Sequence, residues 1–578
     1  MKRQVIFIIT CALYLLAPAQ TRLEHRGNGT ARIVANGKPM LMIGGELGNS
    51  SASTPQDVKR TFAHLHRLGL NTVLTPVSWE LIEPEEGVFD MSTLDVILTE
   101  ARRNELKVVL LWFGAWKNSM SCYAPEWFKR DVKRFPRARA LEDRPVEEAS
   151  SLSGNVLEAD KRAFCRIMEY LRDNDAAEQT VIMVQVENEI GMIDVPRDYS
   201  DNATRLYRSA VPQQLTDYLK KNLRLLHPYL MEKIQPHIQM LLTSDRKAGV
   251  TWEQLFGPGI YTEEIFQAWT YATYVEQIAG AGRAVYNLPM YVNVALDSRD
   301  RKPGQYPSGG PLAQLIDIWH CGAPSIDVLG VDIYDSGIKS WFSKYHQPDN
   351  PLFVPEIRLE DMDAMYALYA FGHHGAMGFC PFSIEDYPIH ADAADNGTND
   401  MDFSQDDQLN AFSASGSALS PIAASYQLLR QAEPLILERQ GTGDMDAVLL
   451  DNEQRETEII TPDGIRLTIR HSYSLGWESG AKDVEWPEVA CIILRLDKEE
   501  YLVIGSGVVI TCTDSQAGTT WKKGDTRIGL AKCESVNISE GTIQVRRHLN
   551  GDQTHQGRHV RIPVGQFDIQ RFRLYRYK

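Results

Sequence analysis

The stretch VIMVQVENEIGMID, residues 181–194, decides the fold class. Its first part, Val181–Val186, is a mostly apolar run rich in β-branched residues. This pattern predicts a strand covered on both faces, which is typical of a parallel sheet lying between helices. Glu187, Asn188 and Glu189 follow directly. Two carboxylates and an amide at the end of a buried strand indicate a functional site.

The same kind of strand recurs along the chain, with helical patterns between successive strands. Eight strand-like segments are predicted at Met40–Gly44, Thr72–Thr75, Lys107–Phe113, Val181–Val186, Met290–Leu296, Ile326–Tyr334, Leu352–Glu356 and Gly375–Phe382. Eight strands alternating with helices over about 400 residues predict an α/β fold of the (β/α)₈ TIM-barrel type. Periodicity alone leaves a long doubly wound sheet as the alternative.

The pattern changes after Tyr426–Leu435. Short alternating runs without intervening helices follow, which is typical of a small antiparallel β-sandwich. We therefore predict four segments: a signal peptide over 1–19, the catalytic barrel over 20–437, a linker over 438–446 and an accessory sandwich over 447–578. Bracing of the barrel is the favoured role of the sandwich, and a carbohydrate-binding platform is the alternative, built from Trp477, Trp486 and Trp521.

The N-terminus has the features of a targeting segment. Lys2 and Arg3 precede the apolar run Val5–Leu16, and small residues follow before Gln20, where cleavage is expected. An uncleaved anchor is the alternative, but the run is shorter than the roughly 20 residues that span a bilayer. The sequence thus predicts a secreted or periplasmic protein without a membrane span.

Composition and charge narrow the class of partner. The 578 residues are 43% hydrophobic and carry a formal net charge of −16. This charge argues against nucleic acids and anionic membrane surfaces as partners, which would require a basic face. A carbohydrate substrate fits better. No cofactor is expected, because no phosphate-binding loop or dinucleotide fingerprint is present, and nothing indicates an oligomeric state.

Cysteine usage predicts neither a disulfide framework nor a metal centre. Seven widely spaced cysteines follow Cys11, and an odd, sparse set does not form a framework. A pair between Cys512 and Cys533 is conceivable. The spacing of cysteines and histidines provides no zinc ligands, and the acidic stretch Asp392–Phe403 lacks ligands that a calcium loop needs.

Carboxylates at the strand ends point to a class of chemistry. In a barrel, working residues lie at the carboxyl ends of the strands. The predicted seventh strand ends in LFVPEIRLE, which places Glu356 at the same rim as Glu187 and Glu189. Cleavage of a glycosidic bond needs two carboxylates, because one protonates the leaving oxygen and the other attacks the anomeric carbon or activates water. The alternative is that these glutamates are ion-paired rim residues.

The orientation of the two strand-four glutamates depends on where the strand ends. Glu187 and Glu189 share a face if the strand continues through them, because side chains alternate along a strand. Gly191 favours an earlier break into the loop.

Two motifs resemble a known family over about residues 32–435. VIMVQVENEIG resembles the strand-four acid/base motif of glycoside hydrolase family 35, whose members are mostly retaining β-galactosidases, and GLNTVLTPVSWELIEPEEGVFD, residues 69–90, looks like its second-strand signature. The resemblance implies that Glu189 is the general acid/base, Glu356 the nucleophile and Asn188 the amide that holds the sugar 2-hydroxyl. It also implies retention of anomeric configuration, with carboxyls roughly 5–5.5 Å apart.

The chain departs from the family pattern where galactose is recognised. Pro76 stands in place of a tyrosine, Ala115 in place of a glutamate, and Ile357–Arg358 in place of an aromatic pair. Either Tyr334 or Arg358 is expected to stabilise the Glu356 carboxylate. We predict that the sugar is bound by other rim residues: Glu46, Trp79, Glu80, Trp116, Lys117, Asn118, Tyr334 and Glu385.

Together these features predict a secreted retaining exo-β-galactosidase that removes terminal β-linked galactose from polysaccharide side chains or oligosaccharides by double displacement. Two alternatives remain. The first is a retaining β-glycosidase for another sugar, such as a β-glucosaminidase or a β-glucosidase. The second is a non-catalytic glycan-binding barrel, although a pure binder needs neither an acid nor a nucleophile.

Overall fold

The computed structural model describes residues 20–243, 249–297, 300–390, 419–517, 522, 524–549 and 551–578. The predicted signal peptide, the Asp392–Phe403 stretch and Trp521 lie outside these residues. Within them, every helix is too short or too polar to cross a bilayer.

Eight parallel strands form the N-terminal part of the molecule. In chain order, the first to eighth barrel strands are Met42–Glu46, Thr72–Ser78, Lys107–Lys117, Val181–Asn188, Met290–Val292, Val328–Leu329 with Asp332–Ile333, Phe353–Ile357 and Gly378–Pro381. Each pairs in parallel with its neighbour in sequence, and the first strand pairs with the eighth. The predicted segments and the observed strands coincide to within a few residues.

The sixth strand closes the barrel. Its first part pairs with the fifth strand and its second part with the seventh. The interruption at Gly330 stays hydrogen-bonded on both sides, because the Gly330 amide donates to the Val292 carbonyl at 2.8 Å and the Val331 amide to the Phe353 carbonyl at 3.2 Å. The sheet is therefore continuous around the ring, and the predicted barrel is confirmed over the doubly wound alternative.

Side chains fill the barrel interior and its amino-terminal end. Inward-facing residues of several strands form one cluster, which includes Leu74, Leu111, Tyr291 and Phe353. Ile33 belongs to the same cluster. It comes from a three-stranded antiparallel sheet made of Arg22–His25, Ala31–Ala35 and Lys38–Met40. Because this sheet covers the amino-terminal end, the carboxyl end is left for a site.

Helices surround the strands. The first is typical: Thr54 accepts a hydrogen bond from the Asp57 amide as N-cap, proline occupies the first turn, and Val58, Phe62 and Leu65 are buried. The helices are Pro55–Arg67, Trp79–Ile82, Ser92–Arg103, Glu126–Arg130, Gly154–Asn174, Asp201–Tyr207, Gln213–Asn222, Pro228–Ile234, Ile238–Thr243, Trp252–Phe256, Ile260–Val285, Ile316–Gly322, Ile338–Tyr345, Asp363–His373 and Pro421–Arg439. A small hairpin, Arg137–Arg139 with Pro145–Ala149, lies in the loop after the third barrel strand.

The C-terminal part is the predicted all-β sandwich. One sheet has six antiparallel strands in the order Met445–Leu450, Val489–Asp497, Glu500–Ser506, Asp568–Tyr577, Arg527–Ser539 and Thr542–His548. The other has four, in the order Glu456–Ile460, Ile465–His471, Val508–Asp514 and Val560–Ile562. The alternating burial along Ile465–His471 shows how one face of each strand fills the core.

The cysteines of the sandwich are free thiols. Cys512 lies in the four-stranded sheet and Cys533 in the six-stranded sheet, and both fill the core between the sheets. The pairing considered from the sequence does not form. Their role is that of small apolar side chains.

The outer face of the six-stranded sheet packs on the barrel. Helix Asp363–His373 lies so close to it that a Cβ on Gly372 would stand 2.4 Å from the Cβ of Ala447 and 2.9 Å from Ile492. Residues of this sheet, including Ile492 and Leu502, belong to the same buried cluster as the barrel helices. The sandwich therefore packs closely on the barrel. Bracing as its role stays a prediction.

Candidate active site

The end of the fourth barrel strand leaves the regular strand conformation. Glu187 and Glu189 have φ values of +61° and +44°, a left-handed conformation that is uncommon for non-glycine residues. Asn188 lies between them and pairs with Lys117 of the third strand. Because the backbone turns here, Glu187 and Glu189 do not share one face, and the predicted break of the strand into its loop is correct.

Glu187 lies outside the central carboxyl cluster and holds the neighbouring backbone in place. Its Oε2 accepts a hydrogen bond from the Trp116 amide at 2.8 Å, and its carboxyl is hydrogen-bonded to that of Asp160. Asp160 in turn accepts from the Trp112 indole at 2.9 Å and the Tyr274 hydroxyl at 2.8 Å. Burial raises the pKa of Glu187 well above its usual range, and the charge of Asp160 adds to this. The pair therefore links the ends of the third and fourth strands through hydrogen bonds.

Glu189 lies in the mouth of the barrel and is only 6% exposed. Its backbone amide donates to Asn293 Oδ1 at 2.9 Å, and the Asn118 side-chain amide donates to its Oε2. Burial raises the pKa of Glu189 to about 7, and the negative charge of Glu356 contributes, while Lys117 opposes the shift. Glu189 is therefore suited to hold a proton near neutral pH.

Glu356 ends the seventh strand and is 4% exposed. The Tyr334 hydroxyl donates to its Oε1. Its Oε2 has no hydrogen-bond partner among the described residues. Arg358 does not reach this carboxylate by a hydrogen bond, but donates to the Tyr334 carbonyl at 3.0 Å and lies over the Tyr334 ring. Of the two predicted partners, Tyr334 makes the contact.

Two further carboxyls lie in the same cluster. Glu46, at the end of the first strand, is fully buried and within hydrogen-bonding reach of Glu356. Asp332, on the sixth strand, accepts from the Asn293 amide at 2.6 Å. Burial raises the pKa of Glu46 and of Asp332 well above their usual range, and the charge of Glu356 adds to both shifts. Both carboxyls are thus favoured in the neutral form, in which they donate as well as accept hydrogen bonds.

Lys117 supplies positive charge to this cluster. It ends the third strand, is buried, and its Nζ lies 5.0 Å from the centroid of the Phe113 ring. Its charge lowers the pKa of Glu46, Glu189 and Asp332. The predicted residues Glu46, Lys117, Asn118 and Tyr334 are therefore brought together with the two predicted catalytic glutamates.

Asn188 is fully buried, and neither atom of its amide has a hydrogen-bond partner within the described ranges. Burying an amide without a partner costs roughly 1–3 kcal/mol. A ligand hydroxyl that bonds to this amide would offset the cost.

The structure corrects two predicted sugar contacts. Trp79 donates its indole N–H to Glu83 Oε2 at 2.8 Å and packs against Trp112, Trp127 and Phe128. Trp79 is the first residue of the short helix Trp79–Ile82, and its ring is buried in this aromatic core. Trp116 faces outward, where its ring packs edge-on against Tyr271 and Tyr274. Neither ring is exposed to the barrel mouth, so neither stacks on a sugar.

Glu80 and Glu385 lie at the rim without joining the central cluster. Glu80 forms an ion pair with Lys129 at 3.4 Å. Glu385 accepts from the Gly48 amide at 3.0 Å and links the loops after the first and eighth strands. Its second carboxyl oxygen has no partner among the residues described here, which leaves it available at the rim.

Sequence reasoning missed Asp332 and Asn293. Both follow apolar strand residues in the fifth and sixth barrel segments, MYVNV and VLGVDIYD. This is the same signal that identified Glu189 and Glu356. A search for a polar residue at the end of every predicted apolar strand would have identified both residues.

Replacing Trp79 with alanine is expected to reduce the free energy of unfolding by about 3–5 kcal/mol, because the substitution leaves a large cavity in a packed aromatic core. Denaturant unfolding followed by fluorescence or circular dichroism measures this loss. Leu225→Ala, at a side chain that is 83% exposed, is the control and should change stability by less than about 0.5 kcal/mol. A stable Trp79→Ala protein with weakened sugar binding would instead support the original sugar contact.

Comparison with known proteins finds family models that match two parts of the chain. Residues 50–226 match the model of glycoside hydrolase family 42, described as beta-galactosidase. This match includes Lys117, Asn188 and Glu189. Residues 422–561 match a domain of unknown function, DUF5597. The mouse beta-galactosidase-1-like protein 3 is 26% identical over 230 residues, which cover 38% of this chain and 29% of that protein.

Three carbohydrate-active enzymes are among the solved structures to which this chain is similar. The beta-galactosidase of the haloarchaeon Halorubrum lacusprofundi has 16% identity, covers 58% of this chain and 52% of its own, and gives a TM-score of 0.40. The beta-galactosidase of Bacillus circulans sp. alkalophilus has 13% identity, with coverages of 69% and 57% and a TM-score of 0.41. The beta-mannanase of the mussel Mytilus edulis has 15% identity, with coverages of 64% and 93% and a TM-score of 0.37.

The family comparison refines the resemblance found in the sequence. The matching model is that of family 42 and not of family 35, so membership of family 35 stays a prediction. The expected TIM barrel is confirmed by the closed ring of strands. The family match over residues 50–226 is in line with the expected glycoside hydrolase. The chain spans less than two thirds of the length of the mouse relative and of the two beta-galactosidases of solved structure.

Proposed function

We propose that this protein is a retaining exo-β-galactosidase that removes terminal β-linked galactose from oligosaccharides or polysaccharide side chains. One observation carries the proposal. Glu189 and Glu356, from strands four and seven, share one buried cluster. Burial raises the pKa of Glu189 to about 7. Glu356 accepts the Tyr334 hydroxyl at Oε1 and has no hydrogen-bond partner at Oε2 among the described residues. Double displacement needs a carboxyl that donates a proton and a second carboxyl nearby that attacks the anomeric carbon.

In the first step, the Glu356 oxygen attacks the anomeric carbon and the bond to the leaving oxygen breaks. Glu189 gives its proton to that oxygen, so the leaving group departs as a neutral alcohol. Oε2 of Glu356 is the candidate attacking atom, because Oε1 is bonded to Tyr334. The product of this step is a glycosyl ester of Glu356.

In the second step, Glu189 takes a proton from water and the resulting hydroxide attacks the anomeric carbon, which frees Glu356. Formation of the ester removes the negative charge of Glu356. That charge is one cause of the raised pKa of Glu189, so its loss lowers the pKa of Glu189. The same carboxyl thus becomes a better base when a base is required.

The remaining polar groups are proposed to hold the terminal sugar. The unpaired amide of Asn188 is suited to the 2-hydroxyl, where a hydrogen bond that strengthens in the transition state raises kcat. Glu46, Lys117 and Asn118 surround the two glutamates and are proposed to bind the other hydroxyls, with Glu385 at the rim. Asp332 joins this set as a residue that was not predicted.

A panel of nitrophenyl glycosides tests the sugar. We expect turnover of the β-galactoside to exceed that of the β-glucoside and the β-N-acetylglucosaminide. Equal or better turnover of a non-galactoside would transfer the proposal to the β-glucosidase or β-glucosaminidase alternative. Absence of turnover with the whole panel would favour the glycan-binding barrel.

The stereochemical outcome tests the geometry. NMR of the first product formed from the β-galactoside should show β-galactose before mutarotation, as expected for carboxyls roughly 5–5.5 Å apart. Initial release of α-galactose would mean an inverting enzyme. A secreted or periplasmic location, proposed from residues 1–19, is tested by fractionating cells that express the full chain.

The pH dependence of kcat/KM is expected to have a descending limb near pH 7. Only protonated Glu189 can donate to the leaving oxygen, so activity is present below the pKa of about 7 and is lost as the pH rises through it. Hydrolysis of an unactivated galactosyl disaccharide measures this limb. A dinitrophenyl galactoside is the control, because its leaving group needs little protonation and should show a weaker limb. An unchanged rate on the disaccharide up to about pH 9 would contradict the assignment of Glu189.

A further inference from the structure

A cleft lined by both polar and apolar residues opens between the barrel rim and the sandwich. Its volume is about 840 Å³, within the range of roughly 300–1,000 Å³ that is usual for small-molecule sites. The barrel wall comes from the loops after the sixth and seventh strands, and the opposite wall from residues 449–453 and Glu488 of the sandwich. Lys339 of the barrel and Asp451 of the sandwich form an ion pair of 2.7 Å across it.

The cleft adjoins the catalytic cluster through one side chain. Tyr334 lines the cleft and is 39% exposed, yet its hydroxyl donates to Glu356. A molecule bound along the Tyr334 ring therefore continues directly from the sugar held at Glu356. Arg358, which lies over the same ring, is also part of the wall.

Two carboxyls of the cleft have free acceptor atoms. Asp363 is 1% exposed, and its Oδ1 has no hydrogen-bond partner among the described residues, although its Oδ2 accepts from the Glu360 amide at 3.2 Å. Glu488 is hydrogen-bonded to the Tyr366 hydroxyl, but its Oε2 is buried without a partner in the part of the chain described. Buried oxygens of this kind are normally satisfied by a donor.

We propose that this cleft binds the leaving-group side of a neutral oligosaccharide substrate, a proposal that rests on the proposed function. Hydroxyl groups would donate to Asp363 and Glu488, and pyranose faces would pack on Tyr334 and Tyr366. Acidic residues outnumber basic ones in the lining, so an anionic glycan would be repelled. The enzyme is thereby a trimming enzyme for longer chains, and the sandwich supplies part of its specificity.

The test compares substrates of different length in the full-length protein. We would measure kcat/KM for nitrophenyl β-galactoside and for β-galactosyl-terminated di- and tetrasaccharides of galactose and of glucose. Wild type should prefer the best tetrasaccharide over its disaccharide by about tenfold or more, since two hydrogen bonds of about 1 kcal/mol each are together worth at least that factor. Glu488→Gln and Asp363→Asn should each reduce this preference by about fivefold or more.

Glu485→Gln is the matched control, because Glu485 is an exposed sandwich residue outside the cleft. It should leave the preference intact. Thermal unfolding of each variant identifies loss of folding, and if Asp363→Asn is unstable, Glu488→Gln alone decides. The proposal is overturned if wild type has no length preference, or if Glu488→Gln weakens all substrates by the same factor or none of them.

Calorimetric titration of the tetrasaccharides separates this proposal from the proposed function. If wild type hydrolyses no galactoside, the proposed function fails. The cleft proposal is still supported in that case if wild type binds a tetrasaccharide and Glu488→Gln weakens this binding about fivefold. If wild type hydrolyses nitrophenyl β-galactoside but binds the tetrasaccharides no better than galactose, the cleft proposal fails and the function stands.

Discussion

Glu356→Ala is expected to lower kcat/KM for nitrophenyl β-galactoside roughly 10⁵-fold, because Glu356 is the nucleophile in the proposed mechanism. The loss should appear in kcat, since the oxygen of Glu356 acts on the anomeric carbon in the transition state. Initial rates at high enzyme concentration measure it. The fold should survive, because the substitution removes a carboxyl from a crowded acidic cluster.

Chemical rescue distinguishes a nucleophile from a residue that only binds. Azide added to the Glu356→Ala protein should restore turnover of an activated galactoside and give the α-galactosyl azide, of inverted configuration. Glu126→Ala is the control, because Glu126 is an exposed surface residue paired with Arg130, and surface pairs contribute little. Retained activity in Glu356→Ala without azide would remove Glu356 from the mechanism.

Glu189→Ala is expected to have an effect that depends on the leaving group. Loss of the general acid should lower kcat/KM for an unactivated galactosyl disaccharide by about 10²–10⁴-fold. A dinitrophenyl galactoside should lose much less in the first step, because its leaving group departs without a proton. We would measure kcat/KM for galactosides whose leaving groups differ in pKa. The slope of log kcat/KM against leaving-group pKa should be steeper in the variant than in wild type.

Two further readouts separate this role from a structural one. The descending limb near pH 7 should disappear in Glu189→Ala, because the limb is attributed to this carboxyl. Azide should yield the β-galactosyl azide, of retained configuration, by attacking the intermediate on Glu356. If all leaving groups suffer equally and the pH limb persists, Glu189 is not the acid.

The strands could be predicted because a buried strand has a characteristic local composition. A barrel strand is covered on both faces, so its sequence is a short apolar run, and eight such runs separated by helical patterns are incompatible with most other folds. Val181–Val186 and Leu352–Glu356 both show this pattern. The carboxyl end of each run then fixes which residues face the mouth, as Glu189 and Glu356 show.

Side-chain direction near the strand ends could not be predicted from composition. Trp79 and Trp116 stand beside polar rim residues, yet both rings turn toward the helices. The direction depends on the backbone turn at each strand end, which a single sequence does not specify. The free thiols of Cys512 and Cys533 are a second case, because pairing requires a distance and geometry between two sheets.

The sequence by itself determined the barrel, the sandwich and the two glutamates on strands four and seven, because each follows from a contiguous pattern of polarity. Only the tertiary structure decided that Glu46 and Asp332 join those glutamates, that Glu187 pairs with Asp160 outside the pocket, and that the sandwich forms a cleft beside Tyr334. These relations connect residues far apart in the chain, and they depend on distance, burial and mutual charge, which arise when the strands close into a ring.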